Sequence, residues 1–184
     1  MKYYPDIHHR RSIRLKGHDY AGEGTYFVTL CTYNREYLFG NIIGGSVILN
    51  EYGIIVEKTW FDLPNHNSNI VLDEFIIMPN HVHAIIIVGA GSKPAQDCGV
   101  GTNRGSAGLE PAPTRATTLP EIVRQLKTFS AKKINIQRKT EGVAVWQRNY
   151  YEHIIRSKDE LNRIRGYIKN NPINWDTDEN FIGG

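Results

Sequence analysis

The order of apolar and polar residues along the chain predicts several short β-strands. Residues 25–33 carry β-branched and aromatic side chains at both sets of alternate positions, as in a largely buried strand. Two apolar runs, 75–77 and 85–87, flank Pro79-Asn80, which predicts a hairpin over about residues 69–88. A short strand is expected at 46–49, and a further strand over 143–155, where aromatic residues recur. A β-sheet is therefore expected at the centre of the fold.

Helical spacing of apolar residues separates these strands. Over residues 51–63 apolar side chains recur at helical intervals, and Pro64 is expected to end that helix. A second helix is predicted over 119–134, with Pro120 in its first turn, where a missing N–H costs nothing. One side of it is expected to be apolar, formed by Ile122, Val123, Leu126 and Phe129. Both helices should pack on the sheet.

The last helix has the clearest boundaries. Ser157 at the N-cap and Glu160 three residues later form a capping box, and Pro172 ends the helix. A stripe of Leu161, Ile164 and Ile168 is expected to hold this helix to the core. Tyr167 and Asn171 belong to a different stripe and, being four residues apart, point the same way.

Composition divides the 184 residues into one domain with two additions. Residues 1–24 form a basic arm, and residues 25–184 form a single domain, as expected for this length. Between Gly89 and Thr118 there are six glycines and three prolines with almost no large apolar residue, which predicts a flexible insertion at about 89–118. No nucleotide-binding glycine loop is present in it.

The formal charge of +3 is unevenly distributed. The first seventeen residues contain one acidic residue, Asp6, and five basic ones, namely Lys2, Arg10, Arg11, Arg14 and Lys16. Such a cluster suits a phosphate backbone, although many basic N-termini are merely solvated. The predicted helix over 119–134 also has a basic side that includes Arg124 and Lys127, with the same two interpretations.

The sequence also indicates the cellular compartment of the protein. Cys31 and Cys98 have neither zinc spacing nor the pattern of a disulfide framework, which favours a reducing environment. No apolar run approaches the length of a membrane span, and the N-terminus does not open like a signal peptide. We therefore expect a cytoplasmic protein with no membrane partner.

His81 and His83 are the strongest candidates for metal ligands. They begin the second strand of the predicted hairpin, and since successive side chains on a strand alternate, both lie on one face with Val82 on the other. Two imidazoles at this spacing can converge on one metal ion. A lone His-x-His pair is weak evidence by itself, but its position at the start of a buried strand strengthens it.

Tyr167 adds a possible nucleophile to this pair. With a pKa near 10, only about 0.1% of a tyrosine is phenolate at pH 7, so attack on a phosphodiester needs help from a cation. Two imidazoles with the amide oxygen of Asn171 would leave coordination positions open for a substrate phosphate. The product would be a phosphotyrosine that stores the bond energy for rejoining.

These residues resemble a known family, the single-tyrosine transposases. Met78-Pro79-Asn80-His81-Val82-His83 resembles their histidine-hydrophobe-histidine (HUH) motif, and residues 167–172 resemble the helix that carries their nucleophile. The resemblance is closest to the REP-associated tyrosine transposases, and it extends to three further segments, 11–15, 26–29 and 146–151. It covers most of the chain apart from the insertion.

The resemblance implies an α+β fold, a ferredoxin-like antiparallel sheet flanked by helices. It also implies cleavage and rejoining of single-stranded DNA next to a REP-like hairpin, dependent on Mg²⁺ or Mn²⁺, through a 5′-phosphotyrosine. His81 and His83 match the family's metal ligands and Tyr167 its nucleophile. Asn171 stands where relatives often carry a glutamine ligand. Relatives act as monomers or as homodimers, so the resemblance leaves the oligomeric state open.

Two other functions are compatible with parts of the sequence. A non-catalytic domain could bind single-stranded nucleic acid through exposed aromatics, but it would give no reason for the histidine pair. A structural zinc site would need four ligands, and no further Cys or His has a useful spacing.

Overall fold

A computed structural model describes residues 23–89 and 117–182. The predicted arm and insertion lie almost entirely outside these residues, so that domain division stays a prediction. Within the described ranges, six strands and three α-helices follow one another: β1 (Gly24–Cys31), β2 (Gly40–Ile43), β3 (Ser46–Leu49), α1 (Glu51–His66), β4 (Ile70–Ile77), β5 (His81–Val88), α2 (Leu119–Gln137), β6 (Tyr151–Ile155) and α3 (Lys158–Asn170). None of these helices is long and apolar enough to cross a membrane.

Four strands form the central sheet in the order β4-β5-β1-β6, and every neighbouring pair is antiparallel. The chain passes through it as β1-α1-β4-β5-α2-β6, so the first strand lies between the third and the fourth. This is the ferredoxin-like α+β arrangement, and the predicted fold class is confirmed. The two central strands, β1 and β5, have their neighbours on both sides and carry the chemistry described below.

The two faces of this sheet are covered differently. One face packs against α1 and α2 around a large apolar cluster that includes Tyr26, Trp60, Ile86 and Leu126. The opposite face carries a smaller cluster in which Phe27 and Ile85 meet Ile164 and Ile168 of α3. Because strand side chains alternate, each of β1 and β5 contributes to both faces.

Several predicted boundaries need correction. The strand β2 was not predicted, because its flanking glycines were interpreted as chain breaks. Gly44 and Gly45 have φ of 57° and 74°, as in the type I′ turn of a tight hairpin, and they join β2 to β3. The helix α1 runs past Pro64 to His66, since a proline so close to a helix end removes only one hydrogen bond. The helix α2 extends three residues beyond the predicted Ile134, to Gln137.

Two side-chain and strand predictions were also wrong. Phe129 does not join the apolar side of α2 and is exposed near His66. Residues 143–146 do not form a strand, and only Trp146 makes a bridge, to Thr32. The indole N–H of Trp146 donates to Ser130 Oγ at 3.0 Å, and backbone bonds from Tyr33 N to Val145 O and from Gln147 N to Cys31 O also hold this segment.

Candidate active site

The histidine pair lies at the start of β5, on the face of the sheet that α3 covers. His81 and His83 are both buried, and their Nε2 atoms are 3.0 Å apart. In the register of the sheet, His83 lies opposite Thr29 on β1 and Ile76 on β4. The alternation predicted from the sequence therefore places both imidazoles on one side of a central strand.

Polar neighbours orient the two rings. The amide nitrogen of Asn80 donates to the carbonyl oxygen of Asn180 at 2.8 Å, so its Oδ1 faces His81 and accepts from His81 Nδ1 at 2.9 Å. That bond places the proton of a neutral His81 on Nδ1 and leaves a lone pair on Nε2. His83 Nδ1 is 2.8 Å from the hydroxyl of Thr29, which turns its Nε2 toward the same point.

Burial also fixes the charge of the pair. Burial lowers the pKa of His81 to about 4 and that of His83 to about 3, because an imidazolium would lose its hydration there. Both rings are therefore neutral at pH 7. Neutral imidazoles with converging lone pairs are the form in which histidine binds metals.

Tyr167 projects from α3 over the histidine pair. Its phenol oxygen lies 3.2 Å from His83 Nε2 and 3.4 Å from Asp178 Oδ2. Its ring meets Phe27 edge-on with centroids 6.1 Å apart. Burial, together with the charge of Asp178, raises the pKa of Tyr167 to about 12. The phenol is therefore protonated at pH 7, in contact with both groups.

Asp178 completes a cluster that the sequence did not reveal. It follows the short 3₁₀ helix Trp175–Thr177 in the chain's C-terminal segment. One ligand atom from each of His81, His83 and Asp178 lies within 4.8 Å of the others. The backbone N–H of Asn180 donates to Asp178 Oδ1 at 2.7 Å, which holds the carboxylate in place. No local pattern distinguishes Asp178 from Asp176, so sequence alone offered no signal for it.

Asn171 lies directly against this cluster. It is the C-cap of α3 and is buried, and its Nδ2 donates to Asp178 Oδ2 at 2.8 Å. Its Oδ1 is buried and has no hydrogen-bond partner among the residues that the structure describes. A buried amide oxygen without a partner is costly unless a further group approaches it.

These donors fit a divalent cation. Two imidazole nitrogens, one carboxylate and an unpartnered amide oxygen form a mixed N/O set, which several divalent metals accept. The His-His-Asp cluster could bind a metal with Asn171 beside it. The part of Asn171 as a ligand stays a prediction.

The predicted DNA-binding residues have different positions. Arg10, Arg11, Arg14 and Lys16 lie outside the described residues. Arg124 is on the surface of α2 and pairs with Glu121 at 2.7 Å. Lys127 donates to the carbonyl oxygens of Gln147 and Asn149, both at 2.8 Å, and thus holds the segment that precedes β6. DNA binding by these residues stays a prediction, with a structural role now visible for Lys127.

Comparison with known proteins finds one relative by sequence and two solved structures that are similar to this chain. No protein-family model matches the chain. An uncharacterised protein of Haemophilus influenzae Rd is 41% identical over 188 residues, covering 98% of both chains. The solved structure of a REP-associated tyrosine transposase bound to a REP hairpin has a TM-score of 0.53 at 15% identity, covering 88% of this chain and 74% of its own. A candidate transposase of Deinococcus radiodurans R1 aligns with a TM-score of 0.45 at 17% identity, over 85% of this chain and 97% of its own.

The first of these solved structures bears on the resemblance described in the sequence analysis. The likeness to a REP-associated tyrosine transposase, which the sequence motifs indicated, is confirmed at the level of the fold. The roles of individual residues rest instead on the geometry of this chain.

Proposed function

This chain belongs to one family with the Haemophilus influenzae protein and has the fold of a REP-associated tyrosine transposase, and we propose that it is a DNA-cleaving and rejoining enzyme of that type. The observation that carries the proposal is the contact between the phenol of Tyr167 and the buried histidine pair, with Asp178 against both. The substrate is single-stranded DNA next to a hairpin.

Each residue has a defined part in the reaction. A divalent cation, Mg²⁺ or Mn²⁺, held by His81, His83 and Asp178 with Asn171 beside them, would polarise the scissile phosphate. The oxygen of Tyr167 attacks phosphorus in line with the leaving 3′-oxygen, forming a tyrosine O–P bond as the P–O3′ bond breaks. The phenol proton leaves to solvent through the open cleft as the O–P bond forms, and the leaving 3′-oxygen takes up a proton from water to become a hydroxyl. The 5′-phosphotyrosine can then be attacked by a 3′-hydroxyl to rejoin DNA.

The position of Tyr167 on a packed helix suits this role. Ser157 accepts from the backbone N–H of Glu160 at 3.2 Å and begins α3, while Ile164 and Ile168 pack it against the sheet. Nucleophilic attack requires the oxygen within about 3 Å of phosphorus and aligned with the leaving group, which a rigid element provides.

The test is a covalent adduct. Incubation with a single-stranded REP-type hairpin and Mn²⁺ should give a denaturant-resistant protein–DNA species, and mass spectrometry should locate the nucleotide on Tyr167. Tyr167→Phe should lose adduct and cleavage together while binding the hairpin normally. Tyr150→Phe and Tyr151→Phe are matched controls that should keep the adduct. Attachment at any other residue would overturn the assignment, and hairpin binding without any adduct would favour the non-catalytic binding domain.

A further inference from the structure

The cleft that exposes Tyr167 does not end at the candidate active site. It has a volume of about 860 Å³ and continues past Phe27 along β6, where Tyr151, His153 and Arg163 line it. The reaction proposed above uses only the end that contains His83 and Tyr167. The cleft as a whole has a volume within the usual range of ligand sites, about 300–1,000 Å³, and its lining extends beyond the residues that this reaction uses.

Aromatic rings connect the two ends of this cleft. The ring of Phe27 stacks on His83 with centroids 5.3 Å apart and meets Tyr167 edge-on at 6.1 Å. On its other side Phe27 meets the ring of Tyr151 edge-on at 6.3 Å. Tyr151 is therefore separated from the candidate nucleophile by a single buried ring, and it stands on the same face of the sheet.

The side chain of Tyr151 is largely exposed to solvent although it lies on a strand of the central sheet. Tyr151 begins β6, one of the two edge strands of the described central sheet, opposite Thr29 on β1, and 58% of its surface is exposed. Its neighbour Phe27 is buried, so Tyr151 packs edge-on against a fixed ring while more than half of its own surface meets solvent. A tyrosine ring held in this way is a rigid flat surface with little conformational entropy to lose on binding.

Arg163 lines the same cleft as Tyr151, and the acidic residue Glu179 is also part of that lining. Arg163 on α3 is 76% exposed and lies 3.8 Å from Glu160 Oε1, a loose contact. Glu160 makes shorter bonds elsewhere, accepting from the backbone N–H of Arg156 at 2.9 Å and lying 2.8 Å from His153 Nε2. The guanidinium of Arg163 is therefore able to turn toward an anion that enters the cleft.

We propose that Tyr151 is a stacking platform for a nucleobase next to the scissile phosphate, and that Arg163 contacts the phosphate joined to that nucleotide. Single-stranded nucleic acid offers both a flat π-face and a regularly spaced negative charge, which are the two features that this end of the cleft complements. The proposal rests on the proposed function, because it assumes that the strand passes Tyr167. It gives the chain a direct contact with bases at the cleavage site.

Fluorescence of 2-aminopurine tests this contact directly. The probe would replace, one at a time, the bases on either side of the mapped cleavage position, with the full chain and Mn²⁺ present. One position should be quenched by the wild-type protein and not by Tyr151→Leu. The same variant should raise the KM for cleavage by about 5- to 150-fold, the usual value of one stacked base, and leave kcat nearly unchanged.

Matched variants distinguish the loss of base stacking from misfolding and from the removal of an exposed aromatic ring elsewhere on the surface. Tyr151→Phe and Tyr151→Trp keep a flat ring and should restore both the quenching and the KM. Phe61→Leu removes an equally exposed ring, 63% exposed on α1 and outside this cleft, and should change neither. Arg163→Gln should raise KM and reduce its salt dependence without removing the quenching.

The outcomes separate this proposal from the one on which it rests. If the wild-type chain forms the Tyr167 adduct and Tyr151→Leu keeps the wild-type KM and quenching at every position, the platform is overturned and the proposed function stands. If no adduct forms, the proposed function fails and no platform beside a scissile phosphate exists; quenching of a probe in the single-stranded flank by the wild-type chain and not by Tyr151→Leu would then assign Tyr151 to base stacking in a non-catalytic domain. Loss of the quenching and a raised KM in Tyr151→Phe as well as in Tyr151→Leu would also overturn the proposal, because phenylalanine retains the stacking ring.

Discussion

The two faces of the central sheet are built from the same strands, but one face forms the main apolar core and the other carries the candidate active site. On β5, the side chains of Val82, Ala84, Ile86 and Val88 point toward α1 and α2 and are almost completely buried among apolar residues. His81, His83 and Ile85 point the other way, toward the single helix α3. One strand therefore supplies both the largest apolar cluster and the candidate metal ligands.

The difference lies in how much each face is covered. Two helices close the first face, and its packing stabilises the fold through burial of apolar surface. One helix and the C-terminal segment cover the second face, and a cleft of about 860 Å³ stays open beside them. Burying two neutral imidazoles there costs free energy unless their nitrogens are paired, and Asn80 and Thr29 pair with the two Nδ1 atoms.

The largest expected effect comes from removing a ligand on the open face. His83→Ala should abolish adduct formation at ordinary Mg²⁺ while leaving hairpin binding nearly intact, because phosphate contacts by basic residues do not need the cation. Chelation of the wild-type protein should have the same result. Gel assays of adduct and binding would check both, and full cleavage by His83→Ala would contradict the assignment.

A substitution on the closed face of the same strand should show the opposite behaviour. Ile86→Ala should lower the free energy of unfolding by about 2–5 kcal/mol, because it leaves a cavity among well-packed side chains. Denaturant titration would measure this, with Ile86→Val as the control at about 0.5–1.5 kcal/mol. Adduct formation per folded molecule should be unchanged. A large loss of specific activity in the folded variant would show that the two faces are coupled.

A smaller effect should follow from the residue that orients His83. Thr29→Val removes the hydroxyl that lies 2.8 Å from His83 Nδ1 and keeps the shape of the side chain. Cation affinity should fall by roughly 10–100-fold, as for other partners of metal-bound histidines. Mn²⁺ titration followed by adduct yield would measure this, and Thr29→Ser should retain most of the affinity. Equal affinities for Val and Ser would rule out the hydroxyl as the orienting group.

The smallest effect concerns the attachment of α3 to the sheet. An irregularity in β4 between Leu72 and Phe75 directs Asp73 toward this helix, where its carboxylate accepts from Arg165 Nε at 2.8 Å. Arg165→Met should slow adduct formation by about tenfold at most, since small displacements of a nucleophile reduce rate. Lys169, 2.8 Å from Glu74, would still hold the helix.

A double-mutant comparison decides whether this ion pair positions the nucleophile. Asp73→Asn should slow the adduct by the same factor as Arg165→Met, and the double variant should be no slower than either. Cation affinity should stay constant in all three, which separates displacement of Tyr167 from damage to the histidine site. Additive losses would contradict a shared role.

Short stretches of sequence predict part of this arrangement. The alternation around His81 and His83 predicts a shared face, because the period of a strand is a local property. The capping box at Ser157 and the spacing of Ile164 and Ile168 likewise predict the start and the buried side of α3. The motifs that resemble those of the single-tyrosine transposases also predicted the fold, and they predicted Tyr167 as the nucleophile that acts beside the histidines.

Tertiary structure alone decided which distant groups meet. Asp178 reaches the histidines because the C-terminal segment folds back over β5, where Trp175 packs against His81 and Asn80 holds Asn180. Lys127 donates to two backbone carbonyls of a segment about twenty residues away, a contact that the sequence did not predict. Residue type and local period do not encode contacts across such separations, because these depend on how the whole chain closes around the sheet.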